Sequence, residues 1–177
     1  VEEIHMMRPS PTEYPPFFAK YIDLVPSDDL LQELDQSFIQ TMTILESITE
    51  EQASFRYAPG KWSIKEVVGH MVDTERIMNY RALCIARGDT APFPDFDEKV
   101  YVSHSNFSER SLQSLLQDFT LVRQASLNLL GRLPTDAWSR VGTVNNNKIV
   151  VSALGFIIVG HGLHHMNVIR DRYIATF

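Results

Sequence analysis

The run Ile158-Val159-Gly160-His161-Gly162-Leu163-His164-His165-Met166-Asn167-Val168-Ile169-Arg170 holds three of the chain's six histidines. On a helix, residues four apart lie about 40° apart around the axis, and residues three apart about 60° the other way. His161 with His165, or His161 with His164, therefore aims two imidazoles at one point. The apolar stripe chooses between the pairs. With His161 at zero, Leu154 falls at about 20°, Ile158 at about 60° and Val168 at about −20°. His165, at about 40°, lies inside that stripe, and His164, at about −60°, lies at its edge. His161 and His165 are the expected inward pair, with His164 a flank residue. Two imidazoles on one apolar face make half of a transition-metal site. The competing reading is a packed, hydrogen-bonded histidine cluster.

Working outward, the other segments are also helical. Ser27-Asp28 caps a helix from about 28 to 48, with Leu30, Leu31, Leu34, Phe38, Ile39, Met42 and Leu45 at helical spacing. Thr49 to Gln52 reads as a short capped turn. After the Pro59-Gly60 break, Ser63 and Glu66 form a capping box for a second helix that runs to about Arg87 and stops at Gly88. A third helix opens near Ser108 to Ser111 and ends near Gly131. The fourth starts near Val151-Ser152 and carries the histidines to about Tyr173. A small hairpin fits the Gly142 to Lys148 stretch. Four long helices without alternating strands predict an all-α, four-helix bundle. The linker between helices two and three, residues 88–107, is long enough to let them run parallel. Pro9, Pro11, Pro15 and Pro16 predict an extended stretch over 8–16, in an N-terminal arm, 1–26, packed on the body through Phe17, Phe18, Tyr21 and Ile22. The 177 residues are expected to form a single domain, 1–177.

Bulk properties exclude several classes. A formal net charge of −6 argues against nucleic-acid backbone binding. No apolar run is long enough to span a bilayer. Glu2, Glu3 and Pro9 stand where a signal peptide would be basic and then apolar. The single cysteine, Cys84, excludes an internal disulfide framework and suits a reducing, cytoplasmic setting. It reads as a small packed hydrophobe.

The remaining histidines supply a third ligand. His5 falls in the arm and His104 in the linker, whereas His70 sits inside a helix beside an apolar stripe. His70, His161 and His165 would make a three-His metal site with at least one open position, the pattern of a catalytic centre. There is no His-Glu-x-x-His, no Glu-x-x-His of the di-iron kind on any of the four helical segments, no phosphate loop and no Gly-x-Ser-x-Gly elbow. Around His70, Glu66, Asp73 and Thr74 are candidates to orient an imidazole or hold a bound water. Asp73 is the candidate for a direct catalytic role, and Glu75 for a buried arginine partner. The linker aromatics Phe93, Phe96 and Tyr101 are candidates to line a pocket over the site.

These residues resemble the DinB-like superfamily, which includes the YfiT-type metalloproteins. The likeness is carried by Lys61-Trp62-Ser63-Ile64-Lys65-Glu66, by Gly69-His70-Met71-Val72-Asp73-Thr74-Glu75-Arg76, by Tyr80-Arg81-Ala82-Leu83 and Ala86-Arg87-Gly88-Asp89, and by Gly160-His161, His164-His165 and Arg170-Asp171-Arg172-Tyr173. It implies a four-helix bundle in which one helix-two and two helix-four histidines bind a divalent metal, often in a homodimer. Some members are S-transferases that use bacillithiol, mycothiol or glutathione. The expected function is thus a divalent-metal-dependent enzyme, a thiol S-transferase or hydrolase acting on a small molecule. The alternative is a non-catalytic metal- or small-molecule-binding stress protein. The metal itself stays open among Zn, Ni, Fe and Mn, all of which accept imidazole.

Overall fold

Each of the first three long helices starts at a side chain that accepts an otherwise unpaired amide. A computed structural model describes residues 8–177. In it, Asp29 accepts the Gln32 amide at the head of α2, Leu30–Leu45. Ser63 and Glu66 form a reciprocal capping box on α4, Ile64–Ala86. Ser111 caps α6, Leu112–Leu130. The fourth long helix, α7, Val151–Arg172, has no side-chain cap. Its first amides are met by backbone instead: Val151 donates to the Arg140 carbonyl at 3.1 Å and Ser152 to that of Trp138 at 3.0 Å. Short helices α1, Ala19–Ile22, α3, Glu50–Ser54, and α5, Glu98–Ser103, lie in the connections. None of the helices among the described residues is long and apolar enough to cross a membrane.

The four long helices form a bundle in which α4 and α2 each pack against both α6 and α7. Side-chain contacts set the directions. Tyr173, just past α7, donates to the carbonyl of Trp62, just before α4, so these two helices run antiparallel. Glu75 meets Arg123, and Asn79 meets Ser126, so α4 and α6 advance together. The connection of residues 87–111 makes this parallel pairing feasible. It is more ordered than a plain linker, because Asp97 accepts the amides of Lys99 and Val100 and starts α5.

The hairpin is real but small. Strands β1, Val141–Val144, and β2, Asn147–Val150, pair antiparallel. Asn145 and Asn146 make the turn with φ of 47° and 60°, which asparagine tolerates better than most residues. Phe93 hydrogen-bonds across to Thr143 and Asn145, at 2.8 and 2.9 Å, so the hairpin clamps the linker.

The arm is non-helical over residues 8–15, as its prolines predict, and helical beyond. Residues 1–7, including His5, lie outside the described residues. From Pro16 the chain turns helical, as a 3-10 turn over Pro16–Phe18 and then α1. Proline at the first helical position is already set to the helical φ, which favours this start. Tyr21, Ile22 and Val25 are buried, and the Arg8 guanidinium ties the arm to the carbonyls of Ile22, Val25 and Ser27.

The core divides into two apolar clusters. One gathers the end of α4 and the start of α7, with Met78, Ile85, Leu154 and Ile158. The other gathers the start of α4 and the end of α7, with Val67, Met71, Met166 and Ile169. Between them α4 and α7 carry polar side chains: His70, Thr74, Glu75 and His161 are all buried.

Candidate metal centre

The two apolar clusters leave a waist where α4 faces α7, and the histidines meet there. His70 comes two turns into α4, and His161 and His165 are one turn apart on α7. The His70 and His161 Nε2 atoms are 3.0 Å apart. His165 Nε2 is 3.1 Å from His161 Nε2. One ring nitrogen from each of the three lies within 4.8 Å of the others. Aromatic rings brace the cluster. Trp62 packs on His70 with centroids 5.0 Å apart, and Tyr21 stands edge-on to His161 at 5.3 Å. Tyr21 gets this close because residue 160 is glycine: a Cβ there would collide with the Tyr21 carbonyl. His164 is outside the cluster, half-buried, with its ring against Tyr21.

The three rings are held neutral. Burial lowers the His70 pKa from 6.5 to about 4, with nearby His164 adding to the effect. Burial first, and then the neighbouring histidines, push His161 and His165 well below the ordinary value. A neutral imidazole nitrogen offers either one in-plane lone pair or one N–H. His161 Nε2 can therefore satisfy one neighbour well, and not both. Three such nitrogens, each turning its lone pair to one point, could share one cation.

A half-open cavity of about 830 Å³ reaches the cluster at His161. It is walled by Thr74, Met78 and Arg81 of α4, by Ile157 and His161 of α7, by Phe17, Phe18 and Tyr21 of the arm, by residues 95–99 of the linker, and by the hairpin. Two further groups bear on the site. The Thr74 hydroxyl is buried at the cavity wall with no protein hydrogen-bond partner among the described residues. Glu98, the first residue of α5, brings a carboxylate oxygen 3.7 Å from His70 Nε2. Among the described residues it is the only carboxylate within 4.0 Å of a histidine ring nitrogen.

The other sequence candidates have different surroundings. Asp73 faces Arg76, 3.3 Å away, and burial raises its pKa; it neither lines the cavity nor approaches the ring nitrogens. Glu66 is taken up by its capping box and by Arg56. Glu75 is the buried partner of Arg123, through two hydrogen bonds of 2.8 and 2.9 Å. His104 is exposed and turns its Nδ1 to the Val100 carbonyl. Of the linker aromatics, Phe96 lines the cavity. Phe93 packs on Tyr80 instead, and Tyr101 covers the outside of Phe96. Cys84 is half-buried against the apolar core. Glu98 and Arg81 were not singled out from sequence. Glu98 is one of three nearby acidic residues in the linker, and tertiary contacts of the linker, Phe93 with the hairpin and the Pro94 carbonyl with Arg81, bring it over the site.

Fold and site together define a helical bundle with a three-imidazole cluster, His70 and His161 buried and His165 partly so, at the end of an open cavity. A family model of the DinB superfamily matches residues 33–169. The chain belongs to the DinB superfamily. Among solved structures it is similar to YfiT from Bacillus subtilis, with a TM-score of 0.71 and 21% identity over 84% of this chain and 86% of that one. YfiT is described as a probable metal-dependent hydrolase with an unusual four-helix bundle topology. At that identity the likeness establishes the fold. Among curated proteins none matches the sequence significantly.

Proposed function

We propose that the protein is a divalent-metal-dependent enzyme, with His70, His161 and His165 as the metal ligands and a small molecule in the adjoining cavity as substrate. The observation that carries this is the convergence of three neutral ring nitrogens with spacings of 3.0 and 3.1 Å. Imidazole nitrogens about 2.0–2.1 Å from a shared cation lie about 3.0 Å apart at right angles and about 3.4 Å apart at tetrahedral angles. The unpartnered Thr74 hydroxyl fits the same reading, since a polar ligand on the cation would give it a partner. The description of YfiT as a probable metal-dependent hydrolase points the same way.

A divalent cation held by three neutral ligands keeps its charge, lowers the pKa of water or thiol and polarises a carbonyl. The chain's own groups do the rest. His70, His161 and His165 carry no proton that must first be displaced near neutral pH. Glu98 Oε2 is placed to take a proton at the mouth of the site. Thr74 Oγ1 orients whatever enters beside it. Phe17, Phe18 and Phe96 exclude water from an apolar substrate body. Hydrolysis needs only water as co-reactant and is the reading adopted. Transfer of a low-molecular-weight thiol uses the same open position and is the second reaction to screen.

The test is metal content of untagged protein, read by inductively coupled plasma mass spectrometry. About one divalent ion per chain is expected, lost in His161→Ala and His165→Ala and kept in His164→Ala. Hydrolytic activity found in a substrate screen should vanish with chelator, and in Glu98→Gln despite retained metal. Full metal occupancy in both the His161 and His165 variants would sink the assignment.

A further inference from the structure

Two arginines are buried in this bundle, and they are satisfied very differently. Arg123 is 2% exposed and Arg81 is 3% exposed. Arg123 has a bidentate carboxylate partner in Glu75, and it also donates to the Leu34 carbonyl and the Ser37 hydroxyl. Arg81 has no carboxylate within 4.0 Å among the described residues. One of its nitrogens donates to the Pro94 carbonyl at 2.7 Å, and another makes a long contact with the Met78 sulfur at 3.9 Å. Its guanidinium carbon is 5.7 Å from the Phe96 ring centre. Burial of a charge is costly unless the charge is paired.

Arg81 lines the same cavity as His161. None of the acidic residues on that wall touches Arg81, although the Asp95 charge favours it from longer range. Asp95 accepts the Phe96 amide and the Asn145 side chain. Asp97 caps α5. Glu98 turns toward His70. The remaining lining near Arg81 is largely apolar, with Met78, Phe96 and Ile157.

We propose that Arg81 anchors the anionic head group of the substrate, a carboxylate or phosphate at the end of an apolar body. Its fork of N–H donors matches the paired oxygens of either group. The head group would sit against α4, while the apolar body runs past Phe96 toward His161. This rests on the cavity being the substrate site proposed above, and it names the substrate class for that site.

The experiment uses the full chain, both metal-loaded and chelator-stripped, with binding followed by calorimetry and by thermal shift. The probes are hydrocinnamate, its neutral amide and phenyl phosphate. Saturable binding of at least one anion is expected, and the amide should bind roughly ten- to hundredfold more weakly. Arg81→Met should weaken anion binding by a similar factor and leave amide binding and metal content unchanged. Whichever anion binds tighter identifies the head group. Binding that survives metal removal assigns the anion to Arg81 and separates this result from failure of the metal reading. No saturable binding of either anion, equal binding of hydrocinnamate and its amide, or anion binding lost with the metal each overturns the proposal. The acid-against-amide comparison uses wild-type protein, so the answer stands even if Arg81→Met does not fold.

Discussion

Replacing Thr74 by valine exchanges one hydroxyl for a methyl group of nearly the same size. The Thr74 hydroxyl is buried, 4% exposed as a residue, and has no protein partner among the described residues. A buried polar group without a hydrogen bond costs about 1–3 kcal/mol. Thr74→Val should therefore stabilise the stripped protein, by about 1 kcal/mol after allowing for relaxation at the cavity wall. For a chain of this size that is about 2–4 °C in Tm. If a polar ligand on the proposed metal reaches the hydroxyl, the sign should reverse in metal-loaded protein. There the variant should lose about 1 kcal/mol and bind metal more weakly. Urea unfolding with and without chelator reads both arms. Stabilisation in both states would show that Thr74 has no part in the site. Destabilisation of the stripped protein by 1 kcal/mol or more would show a partner for the hydroxyl within the protein, and the argument from an orphaned group would fail.

Two further outcomes follow from the buried charges. His70 has a folded pKa of about 4 against an ordinary 6.5, so the unfolded chain takes up its proton first as pH falls. The stability that this histidine contributes to the metal-free protein is full above 6.5 and is lost as pH drops toward 4, by about 3 kcal/mol. Denaturant midpoints at pH 7 and 4.5 should drop less in His70→Gln than in wild type, and an equal drop would refute the assignment. Removing Glu75 strands the Arg123 charge in the core, so Glu75→Ala should cost about 3–5 kcal/mol. The paired change Glu75→Leu with Arg123→Leu should recover most of that in urea melts, and a cost under about 1 kcal/mol for the single change would show the pair to be unimportant.

The long helices were legible because their signals are local. Ser63 and Glu66 announce the start of α4, and Gly88 its end, without any tertiary information. The histidine spacing on α7 is local too, and places His161 and His165 on one side with His164 turned to Tyr21. What stayed hidden depends on register between elements. The six residues of α5 are mostly exposed and too short to show an apolar period. Glu98 reaches His70 because the hairpin holds Phe93 and Arg81 holds the Pro94 carbonyl. Glu75 and Arg81 are both ionisable residues on α4. The one has a buried arginine partner and the other has no direct carboxylate contact among the described residues, which depends on where α6 and the linker fall, not on local sequence. The arm's four prolines suggested extension, yet Pro16 at a helix start is compatible with the turn that carries Tyr21 to the site.

The neighbouring residues Thr74 and Glu75 show how one helix serves stability and chemistry at once. Adjacent helical residues point about 100° apart. Thr74, with His70 one turn before it, faces α7 and the cavity, while Glu75 faces α6 and holds Arg123. The bidentate pair fixes the rotation of α4 about its own axis, because turning the helix would break two charge-assisted bonds at once. That same rotation decides whether His70 Nε2 points at His161. A purely apolar waist would bury as much surface but would leave α4 freer to slip against α6. On this view the buried ion pair matters less for its net energy than for the angle at which it presents His70 to α7.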